Sequence, residues 1–201
     1  MIAQSEVRRI SGTLGVDPSV VDHDYVLGCF LHFLAQHDEV INFWIFKGGT
    51  ALAKCYFPNY RFSEDLDFTA LGALTQQQLI EVIDFTKAKM QEGIGVRGDV
   101  GKTVVEVIHD EYGNESLEGK FYYRGPWEYG GSPRSVRIHV NRDETIVFPP
   151  QKKSIIHNFS DRNELPDSVL EVYSLEEVLV EKIRAFSGQR KFAIARDLFD
   201  L

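Results

Sequence analysis

Hydrophobic and polar positions recur along this chain with a period that changes several times, and each change predicts an element. Asp17 and Pro18 form a start signal, a capping side chain followed by proline at the first helical position. Val21, Tyr25, Val26, Cys29, Phe30, Phe33 and Leu34 then recur at helical spacing, which predicts a core helix. The run INFWIF at 41–46 is apolar and aromatic and is soon followed by Gly48-Gly49, so it reads as a buried strand opening into a turn. A helix from Thr50 to about Phe57 follows, until Pro58 and Asn59 break it. In RFSEDLDFTA, apolar Phe62, Leu66 and Phe68 alternate with polar Ser63, Asp65 and Asp67, the period of a half-buried strand.

Beyond this unit, Thr75 caps a predicted amphipathic helix to about Glu92, with Leu79, Ile80, Ile83 and Met90 on its apolar side. TVVEVIH, KFYYR and SVRIHV each read as strands separated by turn residues, which extends a mixed or antiparallel sheet. The stretch from Asp143 to about Pro166 is polar and irregular. YSLEEVLVEKIRAFSGQRKFAIARDLFDL predicts two helices joined near Ser187-Gly188-Gln189. The expected class is therefore α/β (α+β), with a sheet-bearing core over 1–142 and a connection with C-terminal helices over 143–201.

Composition narrows the partners. A chain of 201 residues with 43% hydrophobic content can bury a proper core. Its formal charge of -8 repels polyanions over most of the surface, so nucleic acid would have to meet a local basic patch. Cys29 and Cys55 have no metal-ligand spacing and fit two buried thiols in a reducing compartment. The N-terminus lacks an apolar signal core, and no apolar run approaches the roughly 20 residues of a membrane span. A cytoplasmic protein with no membrane partner is expected.

Two stretches carry candidate chemistry. A strand that passes through Gly48-Gly49 into a helix at Thr50 presents unpaired N–H groups, a geometry that binds phosphate, with Lys47 and Lys54 near enough to neutralise it. The plainer reading is a tight turn. Asp65 and Asp67 share one strand face about 7 Å apart, with Ser63 on that same face. Two such carboxylates suit Mg2+, or else form the solvated face of an edge strand. Taken together, a phosphate-cradling turn and a Mg2+-binding strand are the halves of a nucleoside triphosphate site.

Near the C-terminus, Ser174 and Glu177 form a capping box. On that register Lys182 shares a face with Leu175, Val178, Leu179 and Phe186, so it either snorkels or meets an anion across the interface. In the last helix Phe192, Ala195 and Phe199 make one ridge, Arg196 and Asp200 form an i, i+4 pair opposite, and Asp197 lies at the boundary. By itself R-D-x-x-D reads as a surface salt bridge.

These residues together carry a resemblance. Lys47-Gly48-Gly49-Thr50, Arg61 ahead of Ser63-Glu64-Asp65-Leu66-Asp67, Glu181-Lys182-Ile183-Arg184-Ala185 and Arg196-Asp197-Leu198-Phe199-Asp200-Leu201 resemble the motifs of the AbiEii/AbiGii-type nucleotidyltransferases, toxins of type IV toxin-antitoxin and abortive-infection systems that include MenT-like enzymes. The resemblance covers the chain from about residue 40 onward. It implies a DNA-polymerase-β-like core, Asp65 and Asp67 as Mg2+ ligands, and Lys182 and Asp197 completing the catalytic set. It also implies nucleotide contacts at Lys47, Gly48, Gly49, Thr50, Arg61 and Ser63. The implied reaction moves a nucleoside monophosphate from an NTP to tRNA, another RNA or a protein, under control of a cognate antitoxin. The alternatives are a small-molecule nucleotidyltransferase and a nucleotide-binding domain that has lost catalysis. Many enzymes of this fold carry a third carboxylate on a later strand, where SVRIHV offers Arg137 and His139. The family usually continues into more helices beyond the motif in which this sequence ends.

Overall fold

The apolar run from Val21 to Leu34 becomes the helix about which the rest is arranged. The computed structural model describes residues 1–98, 100–109, 115–127, 132–142, 144–185 and 198–200. In chain order they form α1 (Gln4–Leu14), α2 (Pro18–Leu34), α3 (Asp38–Phe43), β1 (Trp44–Lys47) and α4 (Gly48–Ala51), which runs on as a π-helical turn, Leu52–Tyr56. Next come β2 (Asp65–Ala70), α5 (Gln76–Ile94), β3 (Val104–His109), β4 (Glu115–Tyr123) and β5 (Arg134–Asn141). β6 (Gln151–Ser154), a 3-10 turn at Arg162–Glu164, β7 (Val169–Val172) and α6 (Leu175–Arg184) follow.

The start signals act as the sequence predicts. Asp17 accepts from the Ser19 N–H at 2.8 Å, and Thr75 and Gln78 close a full capping box on α5. The expected strand at 41–46 is corrected. His37 caps α3 by accepting from Glu39 N–H, so Ile41–Phe43 finish a helix and the strand begins at Trp44. Ile41 and Phe43 stay exposed, because that helix buries only Val40. The stretch read as irregular contains β6, and β7 follows it; four-residue strands are too short to show a period.

All seven strands form one mixed sheet in the order β3-β4-β5-β2-β1-β7-β6, with β5 parallel to β2 and β1 parallel to β7. The residues after 142 thus supply two strands of the same sheet that β1 and β2 build. One face is covered by α2 and α5. Phe30 stacks on Phe121 at 4.6 Å between centroids, and the missing side chain at Gly119 leaves room for the Ile83 side chain of α5 against β4. The other face is divided. Over β1 and β7 it is covered by α6 and the strap at 144–148, with Ile45, Leu52, Tyr173 and Val178 as a small second core. Over β4 and β5 it is partly open, so Glu118, Lys120, Tyr122, Arg137 and His139 reach solvent. β2 lies on the boundary.

On the covered face, Asp22 is 2% exposed and accepts from the Trp127 N–H at 2.8 Å. Burial pushes its carboxyl up to about 6. A folded pKa above the ordinary 3.8 means that the unfolded chain ionises first, so stability falls as pH rises from about 4 to about 6. Asp22→Asn keeps the acceptor and removes the charge. It is expected to raise unfolding free energy by about 1–2 kcal/mol at pH 7 and by little at pH 4. Urea melts at the two pH values check this, and an equal gain at both would contradict it.

Candidate active site

The glycine turn is built to let two side chains come close. Antiparallel pairing sets Lys47, the last residue of β1, opposite Asp67 of β2. Gly48 has φ +77°, a conformation that glycine adopts without a Cβ penalty. A Cβ at Gly48 would stand 2.4 Å from Asp67 Oδ2, and one at Gly49 would stand 2.6 Å from Arg61 Nη2. Thr50 is buried, and its hydroxyl donates to the Asp65 carbonyl at 2.5 Å, which ties the start of the helix to the start of β2. Gly48→Ala therefore forces Asp67 aside. If the chain carries the nucleotidyl transfer that the resemblance implies, a loss of about 100-fold or more is expected with the fold retained, and transfer assays and circular dichroism measured together check it.

Asp65 and Asp67 lie half-buried on the divided face, as the alternation predicts. Burial, and then the neighbouring Asp67 charge, push the Asp65 carboxyl up. His139 of β5 stands opposite Asp67, with Nδ1 3.5 Å from Asp67 Oδ1 and its Nε2–H donating to Glu118 Oε2 at 2.6 Å. The contact with Asp67, aided by Glu118 and against the cost of burial, raises the imidazole to about 9. At neutral pH it is a cation between two carboxylates. Arg137 stands opposite Asp65.

Across the glycine turn, a single carboxylate gathers two cations. Asp200 accepts from Arg61 Nε at 2.7 Å, from Arg61 Nη2 at 2.6 Å and from Lys182 Nζ at 2.8 Å, and its side chain is 0% exposed. The Tyr60 hydroxyl adds a fourth donor at 3.1 Å. Burial would raise this acid, but the hydrogen bonds from Arg61 and Lys182 hold it below the ordinary carboxylate range. Lys182 thus meets an anion, though not from an apolar stripe. Leu175 and Leu179 are exposed, while Glu177 and Val178 are buried, and Phe186 lies outside the described residues. The reason is that the Glu177 carboxylate does not turn back to the cap but accepts from the N–H groups of Val147 and Phe148 at 3.0 and 2.7 Å, which turns that side of α6 toward the strap.

The two lysines expected to meet phosphate are both committed elsewhere. Lys47 is 7% exposed and binds Glu144 and, at 3.1 Å, Glu181. Glu144 also accepts from Thr69 at 2.8 Å and Asn141 at 3.2 Å, so Lys47 pins the strap and α6 under the sheet. Lys54 is buried against α2, its ammonium 2.8 Å from Asp24 Oδ1. Ser63 lies half-buried two residues before β2. Asp197 lies outside the described residues.

Sequence reasoning missed Asp200, whose signal was its place in R-D-x-x-D, and Glu181, whose signal was its place beside Lys182. Glu118 and Glu144 carried no signal, because strand register and the strap bring them in. Asp65 and Asp67 are the oxygen donors suited to a divalent cation. Among the described residues no group of three or more His, Cys, Asp or Glu is arranged to hold a metal. An oxygen pair open on one side fits an ion whose other ligands are phosphate oxygens and water, as for Mg2+.

The class of fold is shared with a solved structure described as MenT4, nucleotidyltransferase toxin Rv2826c from Mycobacterium tuberculosis H37Rv, with a TM-score of 0.66 and 24% identity. That likeness covers 100% of this chain and 63% of the toxin, so the chain spans under two thirds of its length. No curated protein matches the sequence. The model of the family described as "Nucleotidyl transferase AbiEii toxin, Type IV TA system" matches residues 32–201, and the chain belongs to that family. Among the described residues no helix is long and apolar enough to cross a membrane.

Proposed function

We propose that this protein moves a nucleoside monophosphate from an NTP to an acceptor hydroxyl, as the toxin of a type IV pair held in check by a cognate antitoxin in the cytoplasm. The observation that carries this reading is the Arg61–Asp200–Lys182 cluster, set across the glycine turn from the aspartate pair. The acceptor oxygen attacks the α-phosphorus, the bond to the bridging oxygen breaks, pyrophosphate leaves with the electron pair, and the acceptor proton passes to solvent.

Arg61 and Lys182 stand where the leaving phosphates gain charge, and Asp200 offsets their mutual repulsion so that both are in place beforehand. Asp65 and Asp67 would hold Mg2+, which when bound neutralises the triphosphate and polarises the reacting phosphoryl group. Gly48 and Gly49 admit the triphosphate close to the backbone, and Thr50 keeps the turn and β2 in fixed relation. Ser63 borders the same opening. Lys47 acts from beneath by fixing the turn, and the family resemblance adds Asp197 to the catalytic set.

The test is incubation of the protein with each of the four α-32P-labelled NTPs, total cellular RNA and total protein, with and without EDTA. Label moving into macromolecules, suppressed by EDTA and restored by Mg2+, is the expected result. No transfer from any NTP to RNA, protein or small molecules would refute it.

A further inference from the structure

β2 begins with a strand neighbour on one side only. Its pairing with β5 starts at Asp65, opposite Arg137, while its pairing with β1 ends at Asp67, opposite Lys47. The segment leading in turns at Asn59, whose φ is +66°, and Phe62 and Ser63 belong to no strand. Asp65 is therefore the aspartate whose backbone the sheet holds least. Its carboxylate is also pressed by burial and by the Asp67 charge, so an unsupported strand end would let the two acids move apart.

Two side chains from outside the sheet take hold of this entry. The Thr50 hydroxyl binds the Asp65 carbonyl, and the preceding carbonyl, that of Glu64, meets His23 Nε2 of α2 at 3.0 Å. The other ring nitrogen, Nδ1, lies 2.9 Å from the Tyr123 hydroxyl at the end of β4. Both side chains are buried. Burial pushes the His23 imidazole below its ordinary value, so at neutral pH it carries one ring proton. A carbonyl only accepts, which places that proton on Nε2 and leaves Nδ1 to accept from the Tyr123 O–H. Tyr123 thus selects the tautomer that can donate to Glu64.

We propose that His23 is a positioning residue for the aspartate pair: its Nε2–H holds the Glu64 carbonyl, and so the backbone of Asp65, in the place from which both carboxylates can share one divalent cation. Tyr123 acts through it by fixing the ring. With Thr50, two donors from different elements pin consecutive carbonyls, a supporting layer of the kind that sets metal affinity without touching the metal. The inference rests on the metal-binding role given to Asp65 and Asp67 and is independent of which NTP or acceptor is used.

The test is a titration with Mn2+ alone, read by electron paramagnetic resonance, beside thermal melts and the Mg2+ dependence of transfer. An asparagine amide reaches only as far as Nδ1, whereas a glutamine amide reaches as far as Nε2. His23→Asn therefore keeps a partner for Tyr123 and loses Glu64, and it is expected to weaken Mn2+ binding about tenfold and raise the Mg2+ needed for transfer by the same factor. Turnover at saturating Mg2+ should stay within about twofold. His23→Gln restores the donor to Glu64 and should bind Mn2+ as the wild type does, and Tyr123→Phe should weaken binding about threefold.

Equal Mn2+ affinity in His23→Asn and His23→Gln, whether both are normal or both reduced, overturns the positioning role, since packing alone then accounts for the residue. A wild type that binds no Mn2+ overturns it as well. If His23→Asn leaves the Mg2+ requirement unchanged in a protein that does transfer, the positioning role falls and the transfer reading stands. If Mn2+ binding follows the expected order but no NTP is transferred, the positioning role stands and the transfer reading falls.

Discussion

Asp67→Asn is expected to reduce nucleotide transfer to background, a loss of about 1,000-fold or more, while the protein remains folded. An amide is a poorer ligand for a hard divalent cation and leaves its charge uncompensated beside the phosphates. Asp65→Asn should lose activity to the same degree, but the two differ in stability for a reason visible in the site. Asp65 carries an ionisation cost from burial and from its neighbour, so its amide should melt slightly higher than wild type. Asp67 is paired with His139, so its amide should melt slightly lower. Transfer kinetics and thermal melts of both variants check this. Near wild-type turnover in either would remove the aspartate pair from the mechanism.

The second large effect concerns the cluster opposite. Lys182→Met keeps the stem and deletes the charge, and Asp200 then still holds both of its bonds to Arg61. Turnover should fall about 100-fold or more while stability changes by about 1 kcal/mol. Asp200→Asn differs, because it leaves Arg61 and Lys182 facing one another without a counter-charge. A destabilisation of about 2–3 kcal/mol is expected, together with a comparable loss of turnover. In the double variant the penalties should not add, since the repulsion created by one change is relieved by the other. Full additivity in both log kcat and unfolding free energy would show that Lys182 and Asp200 act independently.

Most of the site was legible as residue types and little of it as partners. The glycine turn, the aspartate pair and Lys182 stand in short stretches whose local pattern already constrains them. Lys47 shows the opposite case. Next to two glycines it reads as a phosphate ligand, yet its ammonium is buried between Glu144 and Glu181, which lie 97 and 134 residues away in sequence. Asp200 shows it again: an i, i+4 surface partner by spacing, it is a buried anion shared by two cations in the fold.

The sequence by itself determined the periods of α2 and α5, the caps at Asp17 and Thr75, the need for glycine between β1 and its helix, and the side-by-side carboxylates of β2, because those depend on backbone geometry within a few residues. The tertiary structure alone decided which charges meet. Parallel pairing of β2 with β5 set His139 against Asp67 and Arg137 beside Asp65, and packing of α6 and the strap under the sheet assigned Lys47 its carboxylates. It also decided that one half of a sheet face is covered and the other open. Local pattern cannot carry that information, since an alternating strand presents the same two faces whichever of them its neighbours cover.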